Sequence, residues 1–200
     1  MKDNTKIITG VCRFSYLFAL YPHESENGES RYSVSLVIPK TDTKTIEKIN
    51  AAVRAAYEKG AAKLAGKGNV VPKLETLKTP LRDGDAEKPG DPVYSGAYFM
   101  NASNQYAPGI VDKYNHEIDE DTAEDEIYSG IYGRASVQFY AFNKNGNRGI
   151  ACSLLNLMKT SDGERLSGTA KATEDFAEFA EEETQIDTNS GEVLEGNPPF

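Results

Sequence analysis

The run Tyr132-Gly133-Arg134-Ala135-Ser136-Val137-Gln138-Phe139-Tyr140-Ala141-Phe142 carries two different surfaces on one segment. Side chains alternate across a strand. Gly133, Ala135, Val137, Phe139 and Ala141 therefore make a small apolar face, and Tyr132, Arg134, Ser136, Gln138, Tyr140 and Phe142 make a face of rings, a cation and polar groups. The first suits a core. A merely solvated face has no need of the second. Flat rings stack on unpaired nucleobases whatever their sequence, at about 1–3 kcal/mol per base, and Lys or Arg beside them meets the phosphates. The chemistry on offer is binding of a single nucleic-acid strand.

Further candidates extend this platform. Arg13 and Tyr16 lie on an early strand, and Tyr98, Phe99 and Asn101 on a later one. Arg31, Arg82, Tyr94, Tyr106, Lys144, Arg148 and Lys159 stand in or beside turns that would line its rim. Phe14 and Phe139 are assigned to the core. With 11 tyrosines, 8 phenylalanines and no tryptophan, the chain must also build its interior from rings, so core packing competes with base stacking at each tyrosine. For Arg134 the competing use is a cross-strand ion pair.

Catalytic groups are sparse. The two histidines, His23 and His116, fall in expected loops, and no Ser-His-Asp or Cys-His arrangement surrounds them. Cys12 and Cys152 sit inside apolar runs without a neighbouring Cys or His. They read as small buried hydrophobes, not as a disulfide or a zinc site. No Gly-rich phosphate-binding motif is present. One stretch crowds Glu117, Asp119, Glu120, Asp121, Glu124, Asp125 and Glu126 together. Hard cations want clustered oxygens, so a Mg²⁺-dependent nuclease is the enzymatic alternative. Metal carboxylates normally project from rigid elements, whereas this run reads as a solvated loop. The expectation is a protein that is not an enzyme and has no cofactor or metal.

The net charge of -9 is unevenly spread. Residues 171–200 hold nine acids and one base, Lys171. With those and the seven acids of 117–126 set aside, 21 of the 22 bases face 15 of the 31 acids, a balance of +6. Screening limits charge effects to about 10 Å, so an acidic chain can still present a basic groove.

The elements that must hold these residues are mainly strands. Residues 7–20 read as a strand with Cys12, Phe14 and Tyr16 on one face and Val11, Arg13 and Ser15 on the other. After a turn holding Asn27-Gly28, Tyr32, Val34, Leu36 and Ile38 alternate with Arg31, Ser33 and Ser35 until Pro39 stops the run. Thr41-Asp42-Thr43 offers helix caps. Ile46, Ile49, Val53, Ala56, Tyr57 and Leu64 have the spacing of an amphipathic helix over about 43–65, ended by Gly66 and Gly68. Four prolines break up a long loop over about 69–96. Strands follow at 97–102 and 109–112, then a hairpin from 132–142 through Asn145-Gly146 to 149–159. This order predicts a mainly β fold: a Greek-key β-barrel of the oligonucleotide-binding (OB) type. One helix lies between its second and third strands, and a disordered acidic tail follows. The domain spans 1–165 and the tail 166–200. No apolar run approaches the ~20 residues of a membrane span, and the polar start predicts no secretory signal and a cytoplasmic protein.

The tail ends Gly196-Asn197-Pro198-Pro199-Phe200. A solvated terminus has no packing reason to finish on a ring, so Pro198, Pro199 and Phe200 read as an anchor for a partner's pocket. The polyacidic part would also compete with DNA for the chain's own basic groove.

Several segments together resemble a known family. They are Val11-Cys12-Arg13-Phe14-Ser15-Tyr16, Tyr32 through Lys40, Pro80-Leu81-Arg82-Asp83-Gly84-Asp85, Tyr128-Ser129-Gly130, and Tyr132-Gly133-Arg134-Ala135 through Gly149-Ile150-Ala151-Cys152. Their order over roughly residues 7–160 looks like a phage-encoded family, long catalogued as a domain of unknown function and grouped with OB-fold single-stranded DNA-binding proteins. The acidic tail with terminal Phe200 is similar to those of bacterial and phage single-stranded DNA-binding proteins, which recruit replication and repair enzymes. The resemblance implies a phage or prophage protein that coats single-stranded DNA during replication or recombination in the host cytoplasm and recruits partners through its tail. A structural or scaffold protein of a phage particle is the other rival. Oligomeric state, monomer or dimer, is left open.

Overall fold

The computed structural model describes residues 4–24, 28–66, 70–119, 121–144 and 146–166, and in it the alternation of the 132–142 run is obeyed residue by residue. Gly133, Ala135, Val137, Phe139 and Ala141 are buried, while Tyr132, Arg134 and Tyr140 are exposed. Pro198, Pro199, Phe200 and the rest of the acidic tail lie outside the described residues, as do Asn27, Gly68, Glu120 and Asn145.

In chain order the elements are β1 (Lys6–Ile8), β2 (Cys12–Glu24), β3 (Ser30–Pro39), α1 (Thr43–Lys59), α2 (Ala61–Ala65), β4 (Arg82–Asp83), α3 (Gly84–Glu87), β5 (Ala97–Asn104), β6 (Gly109–Val111), α4 (Ala123–Glu126), β7 (Tyr132–Lys144) and β8 (Asn147–Ser161). Eight strands form one sheet in the order β4-β5-β3-β2-β7-β8-β6, with β1 beside β7. All pairs are antiparallel except β6 with β8. The sheet curls so that Asn104 Nδ2 at the end of β5 donates to Leu154 O on β8 at 2.8 Å. The mainly β architecture with its principal helix between β3 and β5 agrees with the expected class.

Phe14, Leu36, Ile38, Ile49, Leu64, Met100, Ile131, Phe139 and Leu154 fill the space the curled sheet encloses. Burying each such side chain stabilises the fold by about 1.5–3 kcal/mol. The helix closes this core with Ile49, Ala52, Val53 and Ala56. It starts where expected: the Asp42 carboxylate accepts from Thr45 N at 3.1 Å. Gly10 N donates to Thr45 Oγ1 at 2.7 Å, and a Cβ at Gly10 would strike the Asp42 carboxylate. That close approach seals the helix start against the β1–β2 turn. Cys12 and Cys152 are buried and free, and burial pushes the Cys12 thiol up to about 12. No described helix is long and apolar enough to cross a membrane.

Three segments depart from the sequence reading. Strict alternation fails in β2, where Tyr16 has φ +45° and the pairing with β3 shifts between Ser15 and Phe18. Beyond this bulge Ala19 points into the core and Phe18 outward, opposite Ser33. The acidic stretch is not free loop throughout, since α4 buries Ala123 and Ile127 follows it into the core.

Nor is the 69–96 loop featureless. Residues 82–97 fold over the outer side of β3 and β5 and bury Val37, Tyr94, Ala97 and Phe99 in a second small core. This flap is pinned by Lys40, whose Nζ lies 2.7 Å from Asp83 Oδ1 and 2.7 Å from Asp85 Oδ2. Asp85 Oδ1 in turn accepts Gly96 N at 2.9 Å. Hydrogen bonds from Lys40 hold both carboxyls below the usual carboxylate range, and the two aspartates raise Lys40.

Two outcomes test these assignments. Phe139→Ala is expected to cost about 3–5 kcal/mol in urea unfolding, and Tyr140→Ala, one residue on but facing out, less than about 1 kcal/mol. The flap should loosen in acid. Carboxyls with lowered pKa stabilise the folded state above their ordinary value of about 4 and lose that contribution as pH falls through the folded value. The hydrogen-exchange protection of the Gly96 amide should therefore fall between pH 5 and pH 2 relative to core amides, and Lys40→Met should reduce that pH dependence, leaving the part that the Gly96–Asp85 bond itself contributes.

Candidate nucleic-acid interface

Residues opposite one another on antiparallel strands share a face. The register sets Arg82 opposite Phe99, Phe99 opposite Val37, Val37 opposite Arg13, and Arg13 opposite Tyr132. A single row thus crosses β4, β5, β3, β2 and β7 with a cation beside a ring at each end. Arg82 Cζ lies 4.2 Å from the Phe99 ring centroid, and Arg13 Cζ lies 5.7 Å from that of Tyr132. The next row is Asn101, Ser35 and Ser15, and the one after it Ser103, Ser33 and Phe18. In OB architecture this outer strand face and the two flanking hairpins take an oligonucleotide. Both hairpins here carry cations. Arg31 Nη2 donates to Glu29 Oε2 at 2.6 Å, and the Lys144 charge from the β7–β8 hairpin also reaches Glu29. Glu29 is held below the usual carboxylate range, first by its hydrogen bond from Arg31.

Several expected contacts lie open on the outside. Tyr16, Tyr132 and Tyr140 are 60%, 36% and 42% exposed. Asn101 is exposed on β5, and Tyr106 projects from the turn after it, its N donating to Asn104 Oδ1 at 3.3 Å. Arg134 is exposed, with Nη1 donating to Thr9 O at 3.3 Å, so a backbone carbonyl takes the place of the cross-strand carboxylate weighed for it. The structure does not bring all of these together. Eight residue steps along β7, about 27 Å of strand, separate Tyr132 from Tyr140. Tyr140 and half-buried Phe142 belong to a different stretch of wall, opposite Ala151 and Gly149 of β8.

Four expected contacts need correction. Tyr94 and Phe99 are each 2% exposed. Their rings meet edge to face at 5.0 Å under the flap, and Tyr94 OH bonds Ser15 Oγ at 3.2 Å. Tyr98 is on the opposite side of β5 from Phe99 and Asn101, paired with inward-facing Ile38 and lying beneath Lys40 at 5.2 Å. Lys159 is an internal tie: its side chain is 12% exposed, with Nζ 2.9 Å from Asp162 and 3.6 Å from Glu126.

Arg13 is also engaged. Its Nη2 donates to Glu164 O at 2.9 Å and its Nε to Gly130 O at 3.3 Å. The segment 162–166 lies along the 128–131 turn, Leu166 N donating to Ser129 O at 2.8 Å. Gly130, at φ +123°, has no room for a Cβ beside Glu164 O.

Sequence reasoning missed Phe18 and His23. Their rings stack at 4.3 Å and 27° on the outer face of β2. The available signal was Tyr16-Leu17-Phe18, three bulky residues in a row that no single alternation can bury. Three of the described carboxylates of 117–126 have separate partners. Glu124 accepts from Tyr21 OH at 2.6 Å, Asp119 from Asp121 N at 3.0 Å, and Glu126 pairs with Lys159. Among the described residues no group of three or more His, Cys, Asp or Glu could hold a metal. The nuclease alternative gains no support.

Comparison with known proteins gives a consistent result. Residues 5–186 match the family model described as Enterobacter phage Enc34, ssDNA-binding protein. The putative protein p50 of Acyrthosiphon pisum secondary endosymbiont phage 1 is 32% identical over 164 residues, 80% of this chain and 86% of that protein. In fold, the chain is similar to the single-stranded DNA-binding protein from bacteriophage Enc34 in complex with ssDNA, with a TM-score of 0.65 at 23% identity over 82% of this chain and 90% of that one. It is also similar to gp2.5, a single-stranded DNA-binding protein encoded by bacteriophage T7, with a TM-score of 0.57 at 14% identity over 92% and 98% of the two chains. With nine-tenths of its length matched by the family model, the chain belongs to the phage family of the Enc34 ssDNA-binding protein.

Proposed function

We propose that this chain binds single-stranded DNA without sequence preference and performs no chemistry on it. The observation that carries this reading is the outer sheet face: Arg13 stands beside Tyr132 at the edge of the flap, and beyond the flap Asn101, Ser103 and Ser33 lie accessible among exposed rings and hairpin cations. Rings stack on any base, and serine and asparagine reach phosphate or base edges without demanding one sequence. Family membership supports the same reading, because the protein that defines the family is a ssDNA-binding protein. The contacts we assign to DNA are Arg13, Tyr16, Arg31, Arg82, Asn101, Tyr106, Tyr132, Arg134 and Lys144, with Tyr140 and Phe142 on the neighbouring wall. In the host cytoplasm such a protein would cover DNA exposed during replication or recombination. Pro198, Pro199 and Phe200 would recruit replication and recombination proteins, and the acidic tail would compete with DNA for the cationic face.

Salt tests the phosphate part. Neutralising three phosphates of a single strand gives a log–log slope of about -2. Affinity for labelled oligo-dT, read by fluorescence anisotropy, should therefore fall about 20-fold between 50 and 200 mM salt; a flat response would remove phosphates from the interface. Charge tests the tail. Deleting residues 171–200 is expected to tighten oligo-dT binding several-fold at low salt, with the difference closing at high salt. Equal affinities at low salt would show that the tail does not compete.

A further inference from the structure

We infer that the backbone bulge at Tyr16 builds a base-stacking subsite on β2, with Tyr16 and Phe18 as its rings and His23 as the backing of Phe18. The inference rests on the single-stranded DNA reading above and names where, within that surface, bases are gripped. Continued alternation from Ser15 would turn Tyr16 and Phe18 toward the core and Leu17 outward. The structure does the reverse. Tyr16 adopts φ +45°, a conformation that disfavours a bulky side chain. The pairing shifts, Leu17 packs on the core, and Tyr16 and Phe18 stand 60% and 38% exposed. The bulge serves the bend of the sheet, but the strained φ of Tyr16 and the two large rings left in water each cost stability at this position. Strain of this kind is characteristic of functional sites.

The bulge is also well supported. The Leu17 amide donates to Ser129 Oγ at 2.9 Å. Phe18 is stacked on His23 at 4.3 Å and 27°. His23 Nδ1 lies 3.4 Å from Ser33 Oγ and its backbone pairs with Arg31. A nucleobase laid on the outer side of Phe18 would extend a stack that already has its backing ring. Cations lie on either side along the chain, Arg13 before the bulge and Arg31 across from His23. Toward Tyr21 the wall turns acidic, with Glu124 accepting the Tyr21 hydroxyl at 2.6 Å. A polyanion is thereby directed to the Arg31 side.

The test separates ring from backbone. Tyr16→Gly removes the ring and relieves the positive φ, since glycine adopts it freely. The thermal midpoint should hold or rise while affinity for labelled oligo-dT falls fivefold or more, the loss expected for one stacked base. Phe18→Ala should lose as much, and Tyr16→Phe, which keeps the ring, should stay within twofold of the unaltered chain. Because no phosphate contact is touched, the salt slope should not change in any of them. Binding by Tyr16→Gly and Phe18→Ala within twofold of the unaltered chain would overturn the subsite and leave the broader reading standing. So would a lower midpoint for Tyr16→Gly, because Tyr16 would then serve packing. Failure of the unaltered chain to bind oligo-dT would overturn the single-strand reading itself, and the subsite with it.

Discussion

Strand β2 must satisfy its backbone on two sides, and the arrangement of the outer face follows from how it does so. On one side it pairs with β3 from Arg13 to Glu24. On the other it pairs with β7 only at Cys12 and Arg13. Buried amides without partners are costly, so something must take over where β7 diverges. The 128–131 turn does this: Phe14 N donates to Ile131 O at 2.9 Å, Gly130 N to Phe14 O at 2.7 Å, and Leu17 N to the Ser129 hydroxyl. Arg13 and Tyr132 meet at this junction, where, among the described residues, β2 joins the two halves of the sheet by pairing with β7.

The bulge at Tyr16 belongs to the same change of partner. Up to Arg13, β2 is a regular strand between two neighbours. Beyond it, β2 has a strand on one side and a turn with α4 on the other. The extra residue lets the strand change course while its amides stay bonded, as β-bulges do in curved sheets. One backbone irregularity thus both bends the sheet and decides which rings of β2 face solvent.

The flap over β3 and β5 imposes the second constraint. A strand with one wet face should show polar residues there, yet Ser35 and Val37 are buried on that side. Tyr94 and Phe99 cover them, and Lys40 locks the cover through two aspartates. The flap walls off one end of the outer face and leaves the β2–β3 hairpin end open. This explains why Arg82 is turned onto the Phe99 ring while Arg31 stands at an open hairpin.

What could be read in advance divides along the range of the forces involved. Alternation in 132–142, the Asp42 cap, a helix over about 43–65 (which the structure divides at Gly60 into α1 and α2) and the Gly146 turn are local, and each needs only the few residues around it. Those were legible, as were Phe14 and Phe139 in the core. Tyr94, Phe99, Tyr98 and Lys159 were misplaced because part of their surroundings comes from segments well separated in sequence: Tyr94 meets Ser15, Phe99 meets Arg82, Tyr98 meets Lys40 and Lys159 meets Glu126 as well as nearby Asp162. Composition and pattern by themselves determined a mainly β chain with one amphipathic helix and a two-faced strand rich in rings and cations. Which rings face water, which arginines are already engaged and where β2 breaks its alternation were decided only by tertiary structure, because burial and pairing are set by distant segments that no local spacing encodes.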